Sequence, residues 1–176
     1  MPRSETYFLK TARLGVSHWT TDDLPLALAV WGDPEVSRFV GGPFSPEQVA
    51  QRLDREISSE LQYKVQYWPI FLLATNGHVG CAGLRVHKSE EKIYAMGFYL
   101  RPAFWGQGFS TEAGRAVITY AFDTLGASAL FAGHHPANVA SKGLLKKLGF
   151  RWTHQEIYPP TGLLNPAYRL VNPNGP

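Results

Sequence analysis

The sequence predicts an α/β fold: a mixed sheet with helices on both faces, in a single domain. Three observations carry this. In the first half, two dense apolar runs of strand length, 68–74 and 79–86, are separated only by the hairpin signal Asn76-Gly77. In the second half, strand-length runs alternate with two helical patterns and end in a pair of strands, the order β-α-β-α-ββ. Each helical pattern has one apolar stripe, which needs a sheet face to cover it.

Taken in order, residues 12–19 form a first strand, with Leu14 and Val16 alternating against Arg13 and Gly15. Thr20-Thr21-Asp22-Asp23 caps a helix over 24–31, its acidic side chains at the positive end of the dipole, and Asp33-Pro34 ends it. Gly41-Gly42-Pro43 is a flexible elbow before Ser45-Pro46-Glu47-Gln48, a capping box with proline at the first helical position. The helix it opens runs to about residue 61 and shows Val49, Leu53 and Ile57 on one stripe. Two helices joined by that elbow make a natural lid. After the hairpin, a charged loop at 88–91 leads into a strand over 92–100. A helix over 111–125 follows, with Ala113, Val117, Ile118, Ala121 and Phe122 on one face. Residues 129–135 are a strand and 138–148 a helix. Residues 150–158 and 167–171 pair around Pro159-Pro160-Thr161-Gly162, and the tail 172–176 is expected to fray.

Composition bounds the class. A chain of 176 residues with 44% apolar and 18% charged content is one folded domain, 1–176 with its core over about 11–171. The lone Cys81 excludes an internal disulfide, which fits a reducing, cytoplasmic compartment. Residues 1–10 lack the apolar core of a secretory signal, and no window has the length of a membrane span, so no membrane partner is expected. The net charge is +3, yet Lys and Arg are scattered singly, with Lys146-Lys147 the one adjacent pair, so nucleic acid is not a partner. Slight positive charge does favour a polyphosphate ligand. No third ligand accompanies His134 and His135, so no metal is expected. Either a monomer or a homodimer is compatible with the sequence.

The stretch 97–111, Gly-Phe-Tyr-Leu-Arg-Pro-Ala-Phe-Trp-Gly-Gln-Gly-Phe-Ser-Thr, passes from strand through Gly106 and Gly108 into a helix. Such a turn points successive backbone N–H groups outward at a helix N-terminus, a concavity that binds phosphate; two glycines also serve a plain tight turn. It is not a Rossmann fingerprint, because Thr111 stands at the third glycine, and no Walker Gly-Lys-Ser/Thr exists in the chain. Residues 105–110 instead resemble the Q/R-x-x-G-x-G/A loop of the GNAT N-acetyltransferases, with Trp105 in place of Gln or Arg and Ser110 in place of Gly or Ala. A second block, residues 138–150, resembles the Asn-x-x-Ser helix ending in Leu-Gly-Phe of the ribosomal-protein N-terminal acetyltransferase branch. Its local roles are ordinary: Asn138 is an N-cap, Lys146 and Lys147 meet the C-terminal dipole, and Gly149 follows the helix. Thr11-Ala12-Arg13-Leu14 and Trp31-Gly32-Asp33-Pro34-Glu35-Val36-Ser37-Arg38-Phe39 also resemble that branch, and the likeness spans roughly residues 11–152.

The resemblance implies a mostly antiparallel sheet with a splayed parallel central pair, and acetyl-CoA as co-substrate. It implies that the pyrophosphate lies on main-chain N–H groups of Gly106, Gln107, Gly108, Phe109, Ser110 and Thr111, and that the pantetheine arm runs along Phe98, Tyr99 and Leu100. An N–H near Phe98 or Tyr99 would receive the thioester oxygen. Asn138 would bond the arm, and Ser141 would stand beside the sulfur as proton donor or positioner. Relatives carry a Glu as base two residues before the glycine of this strand, and here that position is Ala95. His134 and His135 are the nearest substitutes, and strand alternation would let only one face the cleft. Trp31, Phe39 and Tyr99 would border the acceptor mouth. The reaction implied is direct acetyl transfer in a ternary complex to a primary amine, either a protein N-terminus or a small molecule. The alternative is an acyl-CoA-binding module without turnover, motivated by Ala95.

Overall fold

In a computed structural model, which describes residues 6–175, the strands form one mixed sheet with helices on both faces. Residues 1–5, half of the segment expected to lack a secretory signal, lie outside the described residues. Eight strands pair in the order β1-β2-β3-β4-β5-β6-β8-β7 among the described residues. They are β1 (Leu9–Lys10), β2 (Leu14–Val16), β3 (Tyr67–Leu72), β4 (His78–Lys88), β5 (Ile93–Leu100), β6 (Ala129–Gly133), β7 (Arg151–Tyr158) and β8 (Leu163–Val171). All described pairings are antiparallel except β5 with β6.

Alternation along β3 sets the two cores. Tyr67 packs towards α1 (Leu24–Trp31) and α3 (Pro46–Tyr63) with Trp19, Val49 and Leu53, while Trp68 points to the other face. There Leu84, Met96 and Leu130 meet Val117 of α4 (Phe109–Thr119) and Leu145 of α5 (Val139–Lys147). Each fully buried Leu or Val in these layers contributes roughly 1.5–3 kcal/mol. The α3 capping box forms as its residues dictate: Ser45 Oγ accepts from Gln48 N at 3.3 Å, and Gln48 Oε1 accepts from Ser45 N at 2.9 Å.

Some boundaries differ from the sequence reading. The first strand is shorter and pairs with an additional strand, β1. The β3–β4 turn closes through Leu72 N to Gly77 O and Asn76 N to Leu72 O, so it is longer than a two-residue Asn-Gly turn. The α4 helix begins at Phe109 and gives way at Tyr120–Thr124 to a wider π-type turn, where Tyr120 wedges edge-on against Trp68 at 5.5 Å. The tail is pinned at its start: Asn172 N donates to Ser128 O and its Nδ2 to Ala127 O, both at 2.9 Å.

Candidate active site

The site grows from a fault in the sheet. Strands β5 and β6 pair in parallel only from Ile93 opposite Ala129 to Ala95 opposite Phe131, and then part. On its other side β5 stays paired with β4 to Leu100, and Arg101 N continues the ladder to Val79 O at 2.9 Å. Hydrogen-bonding direction alternates along a strand, so the odd-numbered residues 97, 99 and 101 bond to β4. The N–H groups of Phe98 and Leu100 therefore turn into the gap, and the Tyr99 N–H does not. Trp105 Nε1 donates to Leu100 O at 2.7 Å, tying the end of the strand to the loop that follows.

That loop turns through Gly106 (φ 71°) and Gly108 (φ 81°), conformations that an L side chain rarely adopts. A Cβ at Gly106 would meet nothing within 4 Å, so the space over it is open. Gly108 caps α4, whose first internal bond is Glu112 N to Gly108 O at 3.0 Å. The amides of Phe109, Ser110 and Thr111 precede that bond and have no partner within the helix. Arg13 braces the loop from behind: it donates to Gln107 O at 3.1 Å and to Glu112 Oε2 at 2.7 Å, and stacks over Phe109 at 4.3 Å. Burial alone would raise the Glu112 carboxyl, but hydrogen bonds from Thr11 and Arg13 outweigh it and hold it below the ordinary range.

Two cavities meet at the gap. One, of about 520 Å³, runs from the gap over Gly106, Gly108, Phe109, Ser110 and Thr111 to α5. The other, of about 360 Å³, lies towards Tyr67, Arg85, Ala95 and Tyr158. Phe39, Phe98, Tyr99, Asn138 and Ser141 line both and so form the waist between them. Leu100 lines the larger cavity; Gln107 lines neither, its side chain donating to Ala103 O at 2.9 Å. Asn138 Oδ1 caps α5 by accepting from Ser141 N at 3.1 Å, so the amide is oriented and its nitrogen remains available.

The lid is α2 (Pro34–Ser37) and the turn after it, which bring Val36 and Phe39 over the waist. Trp31 is not at this mouth. It is fully buried against Trp19 at 5.3 Å and under the Arg52 guanidinium at 4.4 Å, because α1 turns its last residue into the core.

Both histidines line the smaller cavity, since β6 ends at Gly133 and alternation no longer applies beyond it. His134 is buried and fully engaged. Its Nδ1 lies 2.8 Å from His135 O, which can only accept, so Nδ1 carries a proton; in the neutral ring Nε2 then accepts from Tyr168 Oη at 3.0 Å. His135 Nδ1 accepts from Ala137 N at 3.0 Å, and its ring lies 4.9 Å from Phe39. Neither ring offers an unoccupied lone pair to an incoming proton. Ala95 lines the same cavity, and Gly97 beside it is required, because a Cβ there would lie 2.8 Å from Tyr67 Oη.

A charged cluster that sequence reasoning missed stands behind this cavity. Glu56 of α3, 2% exposed, accepts from Arg85 Nη2 at 2.5 Å and from Tyr67 N at 2.8 Å, and lies 3.8 Å from Arg52 Nε. The signal was present: Arg52 and Glu56 fall at helical spacing within the stripe of Val49, Leu53 and Ile57. Cys81 is buried beneath the cluster; burial pushes its thiol up, away from the thiolate that a covalent route requires.

The geometry has close counterparts. The acetyltransferase (GNAT) domain family model matches residues 13–151. The chain belongs to the GNAT acetyltransferases. An uncharacterized N-acetyltransferase, p20 of Bacillus licheniformis, is 28% identical over 145 residues, 81% of this chain and 82% of that protein. Among solved structures, a GNAT-family acetyltransferase from Bacillus anthracis superposes with a TM-score of 0.81 at 20% identity, covering 93% of this chain and 98% of that one. RimL, a ribosomal L7/L12 α-N-protein acetyltransferase in complex with coenzyme A, superposes at 0.78 and 16% identity, over 92% and 95%. This GNAT protein is thus an acetyl-CoA-dependent acetyltransferase, with acetyl-CoA as its co-substrate. Among the described residues, no helix is long and apolar enough to cross a membrane.

Proposed function

We propose that this GNAT enzyme acetylates a primary amine by direct attack, with acetyl-CoA and the amine bound together in the two cavities. The observation that carries this reading is the parting of β5 and β6 after Ala95, which frees the Phe98 N–H beside Ser141 where the cavities join. The residues fit the co-substrate. The open space over Gly106 and the unpaired amides of 109–111 suit a pyrophosphate, and the free edge of Phe98–Leu100 suits the amide groups of the pantetheine arm.

In this reading the Phe98 N–H receives the thioester oxygen as it gains charge. The amine nitrogen bonds to the acetyl carbon, the carbon–sulfur bond breaks, and the electron pair leaves on sulfur. The nitrogen loses one proton to water, and the thiolate gains one from solvent or from Ser141, giving an amide and the free thiol. With the lone pairs of both histidines occupied, the amine arrives neutral and neither histidine serves as base. A protein N-terminus, the acceptor that RimL's description states for RimL, and a small-molecule amine both satisfy this chemistry.

Initial rates with acetyl-CoA and amine varied together test the mechanism. Intersecting double-reciprocal lines and an unmodified protein by intact mass are expected. Parallel lines with an acetylated protein would overturn direct attack.

A further inference from the structure

A charged cluster stands behind the wall of the smaller cavity that Arg85 lines. Two guanidiniums, Arg52 and Arg85, converge on one buried carboxylate, Glu56. Arg52 has only 11% of its side chain exposed; it is stacked over Trp31 at 4.4 Å and Tyr99 at 4.7 Å, with Nε and Nη2 lacking hydrogen-bond partners. Arg85 lines the cavity, lies over the Tyr67 ring at 4.5 Å, and spends one Nη on Glu56, which leaves its other N–H groups for the 45% of the side chain that remains exposed. Burial works against the Arg85 charge, but the Glu56 carboxylate bonded to it outweighs this and keeps the group protonated. The Tyr67, Tyr99 and Tyr158 rings complete the same wall. Glu156, the acid in the cavity's lining, is half-exposed and turned to His154 at 3.0 Å, so water and His154 take up its charge away from Arg52. An excess buried cation is costly, and a bound anion relieves it.

Resting on the reading of this cavity as the acceptor site, we propose that the acceptor amine carries a carboxylate, bound by Arg85 with Arg52 behind it. Arg85 and Ala95 are cross-strand partners on β4 and β5, so their Cβ atoms stand about 5 Å apart on the same face. Ala95 flanks the point where the strands part, and the guanidinium bends back over Tyr67, whose Oη borders Gly97, the residue before Phe98. A few bonds between amine and carboxylate bridge that distance. A polyamine would instead set its second ammonium against two guanidiniums, a like-charge contact that the site disfavours. The carboxylate can come from a free amino acid or from an acidic side chain next to a peptide N-terminus.

The test is thiol release from acetyl-CoA across matched acceptors: free amino acids against their carboxamides, and short peptides with Asp or Glu against Asn or Gln at the second position. In at least one pair, the acid is expected to exceed its amide in kcat/KM by roughly 30-fold or more, and the pair that does so names the source. In Arg85→Gln that ratio should collapse towards one, whereas Arg85→Lys should keep part of it. Because the ratio compares two acceptors on one protein sample, loss of folded enzyme does not alter it. Amides and polyamines acetylated as well as the acids would overturn this inference and leave the acetyltransferase reading standing. A ratio unchanged in Arg85→Gln would overturn the assignment to Arg85. Acetyl-CoA binding by calorimetry, with no turnover on any amine, would overturn both readings.

Discussion

The two cavities that meet at Phe98 and Ser141 are built from different materials. The larger is made of main chain: amides exposed by glycines at positive φ, a free strand edge and a helix N-terminus. The smaller is lined by side chains from β3, β4, β5, β7, β8 and α5, and backed by the buried carboxylate of Glu56 on α3. A main-chain site can recognise what every reaction shares, the nucleotide and arm of the acyl donor. A side-chain site can differ from one protein to the next at a few positions and so choose an acceptor. The contrast predicts that substitutions on the two sides separate donor binding from acceptor choice.

The largest expected effect is on the donor side. Gly108→Val places a β-branched residue at φ 81° on the lip of the phosphate cradle, and acetyl-CoA affinity should fall by at least roughly 100-fold by titration calorimetry, with the fold retained. Parent-like binding would break the main-chain assignment. Next is Glu56→Gln, which leaves Arg52 and Arg85 without their counter-charge. Stability should drop by about 3 kcal/mol, a fall in Tm on the order of 10 °C by thermal melt, with acetyl-CoA affinity little changed in the folded fraction.

Smaller effects sharpen the picture at the waist. Ser141→Ala should slow chemistry by about 10-fold with little change in donor affinity, since a hydroxyl is a weak acid that assists and does not dominate. Single-turnover rates equal to the parent's would reduce Ser141 to a helix residue. Glu112→Gln releases the brace behind the cradle. The Glu112 carboxyl lies below its unfolded value, so its contribution is complete above about pH 4.3 and is lost as pH falls through the folded value. The variant should therefore lose about 1 kcal/mol near neutral pH and converge on the parent in acid, as denaturant melts at several pH values would show.

The difference in materials also explains what the sequence made legible. The Gly106–Gly108 turn, the Asn138 cap and the strand before them are contiguous patterns, and local rules find them. The Glu56–Arg85 pair spans 29 residues, and no period relates its members. Arg52 and Glu56 were visible only as charges inside an apolar helical stripe, and such charges need partners that only the folded chain supplies. Nearness in sequence to the elbow puts Trp31 at the mouth, yet Arg52 of α3 stacks on it and completes the core there. Strand alternation would turn only one histidine to the cleft, but it lapses where β6 ends at Gly133. The parting of β5 and β6 came from resemblance, since nothing in either strand's own residues encodes where a pairing stops.

In the proposed mechanism, transfer proceeds on a main-chain scaffold with the amine arriving neutral and neither histidine acting as base. The pH dependence of kcat/KM for the amine tests it most directly, in the parent and in His134→Ala and His135→Ala. One rising limb that follows the free amine's own ionisation is expected, and it keeps its position in both variants. A second limb near neutral pH in the parent that disappears in one histidine variant would contradict it.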